Sequence, residues 1–332
     1  MKRLALVGFL LCLVVGSVGL VLQAEAEYTC KYAESWPVGS ARVNAAMIFK
    51  NIVETASGGR IAVEVFPAAQ LGTESEAMDS VQLGVLQVTR GALFEKANPK
   101  LFIYGLPFLF SSFEQGLASL EAPISLEIME GAKANGFYIP SIGLQPGRNV
   151  TNNLRPIETP ADMDGMLLRV PPIDLNTRVM TALGASTQLI PFTETYMAMK
   201  TGVVDGQENP VAQIVDMKFY EVQEYITFLE YTIGPDPLYI SLVWYESLPA
   251  DLQAVVTMAG ELSGEYLNWA WLTQKTEQEN FLRANMTAND ITPENYPLFV
   301  DAVQSVWDFY IDEEGYFTQA EVDAIIDFVQ GK

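Results

Sequence analysis

Two arginines define the chemistry open to this chain. Arg148 stands in Gly147-Arg148-Asn149 and Arg169 in Leu168-Arg169-Val170-Pro171, and an amide-bearing segment, Gly206-Gln207-Glu208-Asn209-Pro210, follows. A guanidinium is a planar fork of donors that meets a carboxylate with two parallel hydrogen bonds, so these residue types drawn together would hold a small acid. Arg169 closes a short β-rich run between Gly165 and Pro171. That predicts a head group projecting from the carboxyl end of a strand, the edge at which open α/β sheets bind ligands. The plainer reading makes Arg169 a surface strand residue paired with Asp162 or Asp164.

The elements that would position these groups are legible in the periodicity. A strand is predicted over 28–34, then a helix capped by Ser40 whose apolar face is Ala45, Ile48, Phe49, Ile52 and Ala56, ending at Ser57-Gly58-Gly59. Ile61, Val63 and Val65 alternate as a second strand, and Thr73 opens a helix carrying Met78 and Val81. This β-α-β-α opening predicts an α/β fold with a largely parallel sheet. Further strands are expected over 138–143 and 166–170 and around Gln188 and Val203, with a helix over 173–183. From Pro249 to Asn285 there is no internal proline and only two glycines, which reads as one long helix. Thr318 and Glu321 form a capping box for a last helix over 319–330. Tyr239, Trp244 and Tyr245 stand where aromatics either wall a pocket or fill a core.

The amino terminus reads as an export signal. Lys2 and Arg3 precede an apolar run from Leu4 to Leu22, and Ala24-Glu25-Ala26 supplies the small residues of a cleavage site, so 1–26 is expected to be removed. The alternative is an uncleaved anchor helix, since the run approaches the ~20 residues that span a bilayer. The remaining length of about 300 residues predicts two domains. The chain has 19 basic and 41 acidic residues; without Lys2, Arg3 and Glu25 the balance is 17 to 40, a net charge of −23. Such a surface disfavours nucleic acid and anionic membranes as partners. Of the two cysteines, Cys12 lies in the expected signal, which leaves Cys30 without an intramolecular partner and suited to a buried strand position.

The ordered segments resemble the substrate-binding proteins of the tripartite ATP-independent periplasmic (TRAP) transporters, in the dicarboxylate-binding-protein family. The likeness takes in the three segments above, Phe66-Pro67 with Gln70-Leu71-Gly72-Thr73-Glu74, Leu106-Pro107-Phe108, Arg155-Pro156-Ile157, and Pro235-Asp236-Pro237-Leu238-Tyr239-Ile240-Ser241. It implies a two-lobe periplasmic solute-binding fold with hinge strands and a long helix spanning both lobes. Lobe one would comprise 27–147 plus 236–275, and lobe two 148–235 plus 276–332. It implies that Arg169 anchors the ligand carboxylate, that Arg148 contacts the same anion and that Asn209 donates to it. Glu74 would read ligand hydroxyl or amino groups, and Phe192 and Tyr239 would wall the pocket. Each has a structural alternative: a hinge salt bridge for Arg148, a turn for Asn209, an acidic helix start for Glu74, core packing for Tyr239. Where many members carry a histidine before the aspartate-proline segment, this chain has Thr232-Ile233-Gly234, which implies a different ligand.

The function classes follow. The leading expectation is a monomeric, periplasmic receptor that delivers a small organic acid to TRAP membrane permease subunits, with no cofactor, no metal and no catalysis. A secreted enzyme built on paired carboxylates, for instance Glu208 with Glu74, is the alternative class. It is disfavoured because the chain has no histidine and so lacks the commonest general base and metal ligand. A receptor serving a signalling partner would use the same fold.

Overall fold

In the computed structural model, which describes residues 26–331, two six-stranded sheets carry the molecule. The expected signal peptide lies almost wholly outside these residues. In chain order the strands are β1 (Tyr28–Ala33), β2 (Ile61–Phe66), β3 (Val88–Arg90), β4 (Phe137–Tyr138), β5 (Ile142–Leu144), β6 (Arg148–Asn152), β7 (Leu167–Val170), β8 (Ser186–Leu189), β9 (Gly206–Pro210), β10 (Tyr225–Phe228), β11 (Pro235–Ser241) and β12 (Thr287–Asp290). The first sheet runs β2-β1-β3-β11-β4, with β5 also paired to β11, and the second runs β12-β10-β6-β9-β7-β8.

The opening β-α-β-α unit forms as its pattern dictates. β1 pairs in parallel with β2 and β3. Between β1 and β2 lies the helix Ala41–Ala56, whose first turn is capped by the Ser40 hydroxyl accepting from Val43 N at 3.3 Å. Phe49 and Val53 on its inner face bury against Cys30, Tyr32, Ile61 and Val63. Cys30 is buried and unbridged, and burial pushes its thiol well above the ordinary range. Thr73 and Glu76 make a reciprocal capping box at the start of the helix Glu74–Gln82, which fixes the direction in which Glu74 leaves the chain.

Two extended segments cross side by side between the sheets. β5 meets β11 at Leu144↔Pro235; Gln145 N then donates to Gly234 O (2.8 Å), Arg148 N to Thr232 O (3.1 Å) and Tyr231 N to Arg148 O (3.2 Å), before β6 meets β10 at Val150↔Thr227. The register shifts at Glu230, whose backbone is left-handed (φ 46°) and whose N–H donates to Asn149 Oδ1 at 3.1 Å. A third crossing is the predicted long helix, Ala250–Asn285, thirty-six residues without a break. It packs on the helix Ala41–Ala56 early and on the helix Val211–Asp216 later. Gly260 lets the same helix lie close against the link between β4 and β5: a Cβ there would stand 2.4 Å from Pro140 Cγ.

Three expectations are corrected. The strand expected near Val203 begins three residues later, at Gly206, because Gly202 turns the chain with φ 71° and Val203 lies in that turn. The strand expected over 138–143 is split into β4 and β5 around Pro140, which has no N–H to offer the ladder. The carboxyl-terminal helix Gln319–Val329 does not stay with the second sheet; it packs on the helices Phe113–Ser119 and Pro123–Gly131, and Lys100 Nζ meets Glu321 Oε1 at 2.5 Å.

β9 offers a direct test of the second sheet. Gly206 lies opposite Asn152, and an added Cβ would stand 2.0 Å from Thr151 O and 2.9 Å from Asn152 Cα. Because the obstacle is backbone, Gly206→Ala is expected to lower stability by about 3 kcal/mol or more, at or beyond the upper end of ordinary overpacking. Urea unfolding would measure it, and a midpoint like that of the parent would show that β6 and β9 are not so closely paired.

Candidate anion-binding site

A cavity of about 110 Å³ lies between the two sheets, several-fold the ~10–15 Å³ that holds one water. The first sheet and its helices contribute Ser35, Trp36, Arg42 and Glu74, the crossing contributes Gln145, and the second half contributes Arg148, Arg169, Phe192, Asn209 and Gln213. Trp36 and Phe192 stack across the gap with centroids 5.7 Å apart and planes 27° from parallel. This contact bridges the two halves at the edge of the cavity, and the Arg42 guanidinium lies 5.0 Å from the Trp36 ring centroid.

The register of the second sheet draws the expected residues together. Arg148 opens β6 opposite Pro210, Asn149 faces Asn209, and Arg169 on β7 faces Gln207. Arg169 has 1% exposure, and its Nε donates to Ile190 O at 2.9 Å. No carboxylate forms an ion pair with it among the described residues. Asp162 and Asp164 are not its partners: their backbone carbonyls accept from Arg155 at 2.8 and 2.6 Å. Burial, aided by the nearby Arg148 charge, pushes the Arg169 guanidinium down to about 10, while Glu208 and Glu74 oppose the shift. It remains a cation at neutral pH, desolvated and without a counter-ion.

Arg148 is in the opposite situation. Its Nε and Nη2 grip the Glu208 carboxylate, the second contact at 2.9 Å, and Nη2 also reaches Glu208 O at 2.8 Å. Tyr231 OH donates to Glu208 Oε2 at 2.6 Å and Asn176 Nδ2 to Oε1 at 3.2 Å. The pair is therefore a neutral unit, and Arg148 borders the cavity with its charge already balanced. Asn209 is engaged likewise: Oδ1 accepts from Arg148 Nη2 at 3.2 Å, and Nδ2 donates to Gln207 Oε1. The resemblance implied Asn209 as a donor to the ligand; in this geometry that donor points at Gln207.

The far wall is built on Arg42, which sequence reasoning missed. Its Nε and Nη2 meet Glu34 at 3.2 and 3.1 Å, and Nη1 meets Glu74 at 2.9 Å with Asp236 at 3.8 Å. Ser35 Oγ also donates to Glu74 Oε1 at 2.9 Å. A signal was available: a cation in the first turn after the Ser40 cap opposes the helix dipole, so something must hold it there. Glu34 is fully buried, and desolvation, with Asp236 and Glu74 adding repulsion, lifts it to about 7 against the pull of Arg42. Tyr239 is corrected. It is a core residue of β11, paired with Thr89 and set edge-on to Phe137 at 5.6 Å, and it does not line the cavity.

The Glu34 shift has a sign that can be checked. A carboxyl raised from 4.5 to about 7 on folding contributes stability that is full below the unfolded value and is lost as pH rises through the folded one. Acidifying the ligand-free protein from about pH 8 to 5 should raise its unfolding temperature. Glu34→Gln, held neutral throughout, should flatten that part of the profile, whereas a slope identical to the parent's would show that Glu34 does not titrate there.

Comparison with known proteins gives a consistent result. The family model described as bacterial extracellular solute-binding protein, family 7, matches residues 32–314. A solute-binding protein of Roseobacter denitrificans is 34% identical over 245 residues, covering 72% of this chain and 74% of that protein. The uncharacterized protein y4mM of Sinorhizobium fredii is also 34% identical, over 247 residues and 74% of this chain, but the chain spans about half of its length, 46%. The structure of the Roseobacter protein, a TRAP periplasmic solute-binding protein with bound L-galactonate, superposes with a TM-score of 0.84 at 29% identity, covering 91% of this chain and all of that one.

Proposed function

The chain belongs to the bacterial extracellular solute-binding proteins of family 7, and from that premise we propose that it is a periplasmic receptor for a small organic acid anion. The observation that carries this reading is Arg169: a buried guanidinium that lines the cavity and has no carboxylate within ion-pair distance among the described residues. Burying an unpaired charge costs several kcal/mol, so the position makes physical sense when an anion completes it. A carboxylate is the planar partner that a guanidinium fork fits. The L-galactonate bound by the Roseobacter relative is such an anion.

The receptor hands its ligand to TRAP permease subunits in the membrane, acts as a monomer and reaches the periplasm by cleavage after residue 26. Closure supplies the difference between loaded and empty states, and the Trp36–Phe192 stack is a contact that joins the two halves. Acid–base catalysis by Glu208 and Glu74 is disfavoured, since Arg148 and Tyr231 hold the first and Arg42 and Ser35 the second. Small-angle scattering on titration with organic acids tests the closure. A fall in the radius of gyration at saturating ligand is expected; a bound ligand that left the radius unchanged would remove the hinge mechanism.

A further inference from the structure

The charges around the cavity narrow the ligand class. On the Arg169 side, Arg148 and Arg169 face one acid, Glu208, which leaves a single positive charge unbalanced. On the opposite side, Arg42 and Arg90 stand against Glu34, Glu74 and Asp236, so no positive charge is left over. Arg42 is committed to these acids, with Nε and Nη2 on Glu34 and Nη1 on Glu74, and Nη2 also reaches the carbonyl of Arg90. Arg90 Nε and Nη2 also lack partners but belong to a side chain that does not line the cavity, whereas two lining residues, Glu74 and Gln213, keep open acceptors. Glu74 has Oε1 bonded to Ser35 and Arg42 but Oε2 without a hydrogen bond among the described residues, and it keeps 20% side-chain exposure. Gln213 donates its Nε2 to Gln145, which leaves a buried Oε1 with no partner.

Resting on the receptor reading above, we infer that the ligand is a polyhydroxylated monocarboxylate such as an aldonate, with its one carboxylate on Arg169 and hydroxyls donated to Glu74 Oε2 and Gln213 Oε1. A second carboxylate at the far end would meet the Glu74 carboxylate and find no free cation. Repulsion between like charges there is the selective element, and it costs a dicarboxylate more than the hydroxyl contacts return.

Matched pairs separate the possibilities. D-gluconate and D-glucarate differ only in carrying a terminal CH2OH or a carboxylate, as do galactonate and galactarate; hexanoate lacks the hydroxyls and succinate has two carboxylates. Calorimetric titration of the secreted chain should show an aldonate binding at least about tenfold more tightly than its aldarate and than hexanoate. Glu74→Gln should narrow the aldonate–aldarate gap several-fold, and Arg169→Met should weaken binding of every acid in the set by about two to three powers of ten. An aldarate, succinate or hexanoate that bound as tightly as the aldonates would overturn this inference while leaving the receptor reading in place. A gap unchanged in Glu74→Gln would overturn it equally. Failure of every acid to bind would overturn the receptor reading itself, and this inference with it.

Discussion

Arg169→Met is expected to lower affinity for a carboxylate ligand by two to three powers of ten while leaving the ligand-free protein as stable as before, or more so. The two halves of that expectation have one cause. In the absence of ligand the guanidinium is buried and lacks an acid within ion-pair distance among the described residues, so its desolvation is not offset. Methionine keeps an unbranched apolar stem in the same space and removes the charge. Once a carboxylate is bound, the same substitution leaves that anion buried without its partner, a loss of roughly 3–5 kcal/mol. Calorimetry and thermal unfolding on the same two preparations read both effects. Arg169→Lys should fall between, since it retains the charge and loses the fork. A variant that bound normally but unfolded easily would mark Arg169 as a structural residue instead.

Arg148→Met should give the reverse pattern, although both arginines border one cavity. Glu208 is fully buried and is held by Arg148 with support from Tyr231 and Asn176. Removing the arginine strands that carboxylate, which is expected to cost about 3–5 kcal/mol of stability before any ligand is present. Pairing the change with Glu208→Gln should recover much of the loss, because the amide carries no charge to desolvate. The urea midpoints of the two single variants and the double variant measure the coupling directly. Midpoints near the parent for Arg148→Met would show that the pair contributes little, and that Arg148 is free to serve the ligand as the resemblance implied.

These contrasts also show what can be read from a sequence and what cannot. The caps at Ser40, Thr73 and Thr318, the β1 to β2 opening and the unbroken helix Ala250–Asn285 are local facts, fixed by residues within a few positions of each other. Arg169 was legible for a related reason: the strand and Pro171 beside it define where its side chain emerges. The state of each arginine was not, because it depends on partners that only the fold brings together. Glu208 reaches Arg148 only through the β6–β9 register, and Arg42 finds Glu34, Glu74 and Asp236 on three separate elements. Tyr239 was ambiguous from sequence because β11 is covered by neighbours that no local pattern announces, among them β3 and β4. Tyrosine suits a pocket wall and a core alike.

A thermal-shift screen of organic acids on the parent chain and on Arg169→Met, run side by side, tests the carboxylate-anchoring role of Arg169 most directly. At a hundredfold excess over Kd, a ligand should stabilise the parent by about 2.7 kcal/mol. The predicted result is a clear shift with at least one carboxylate and none with the same compound on the variant. No shift with any acid, or an equal shift in both proteins, would contradict a receptor that holds its anion on Arg169.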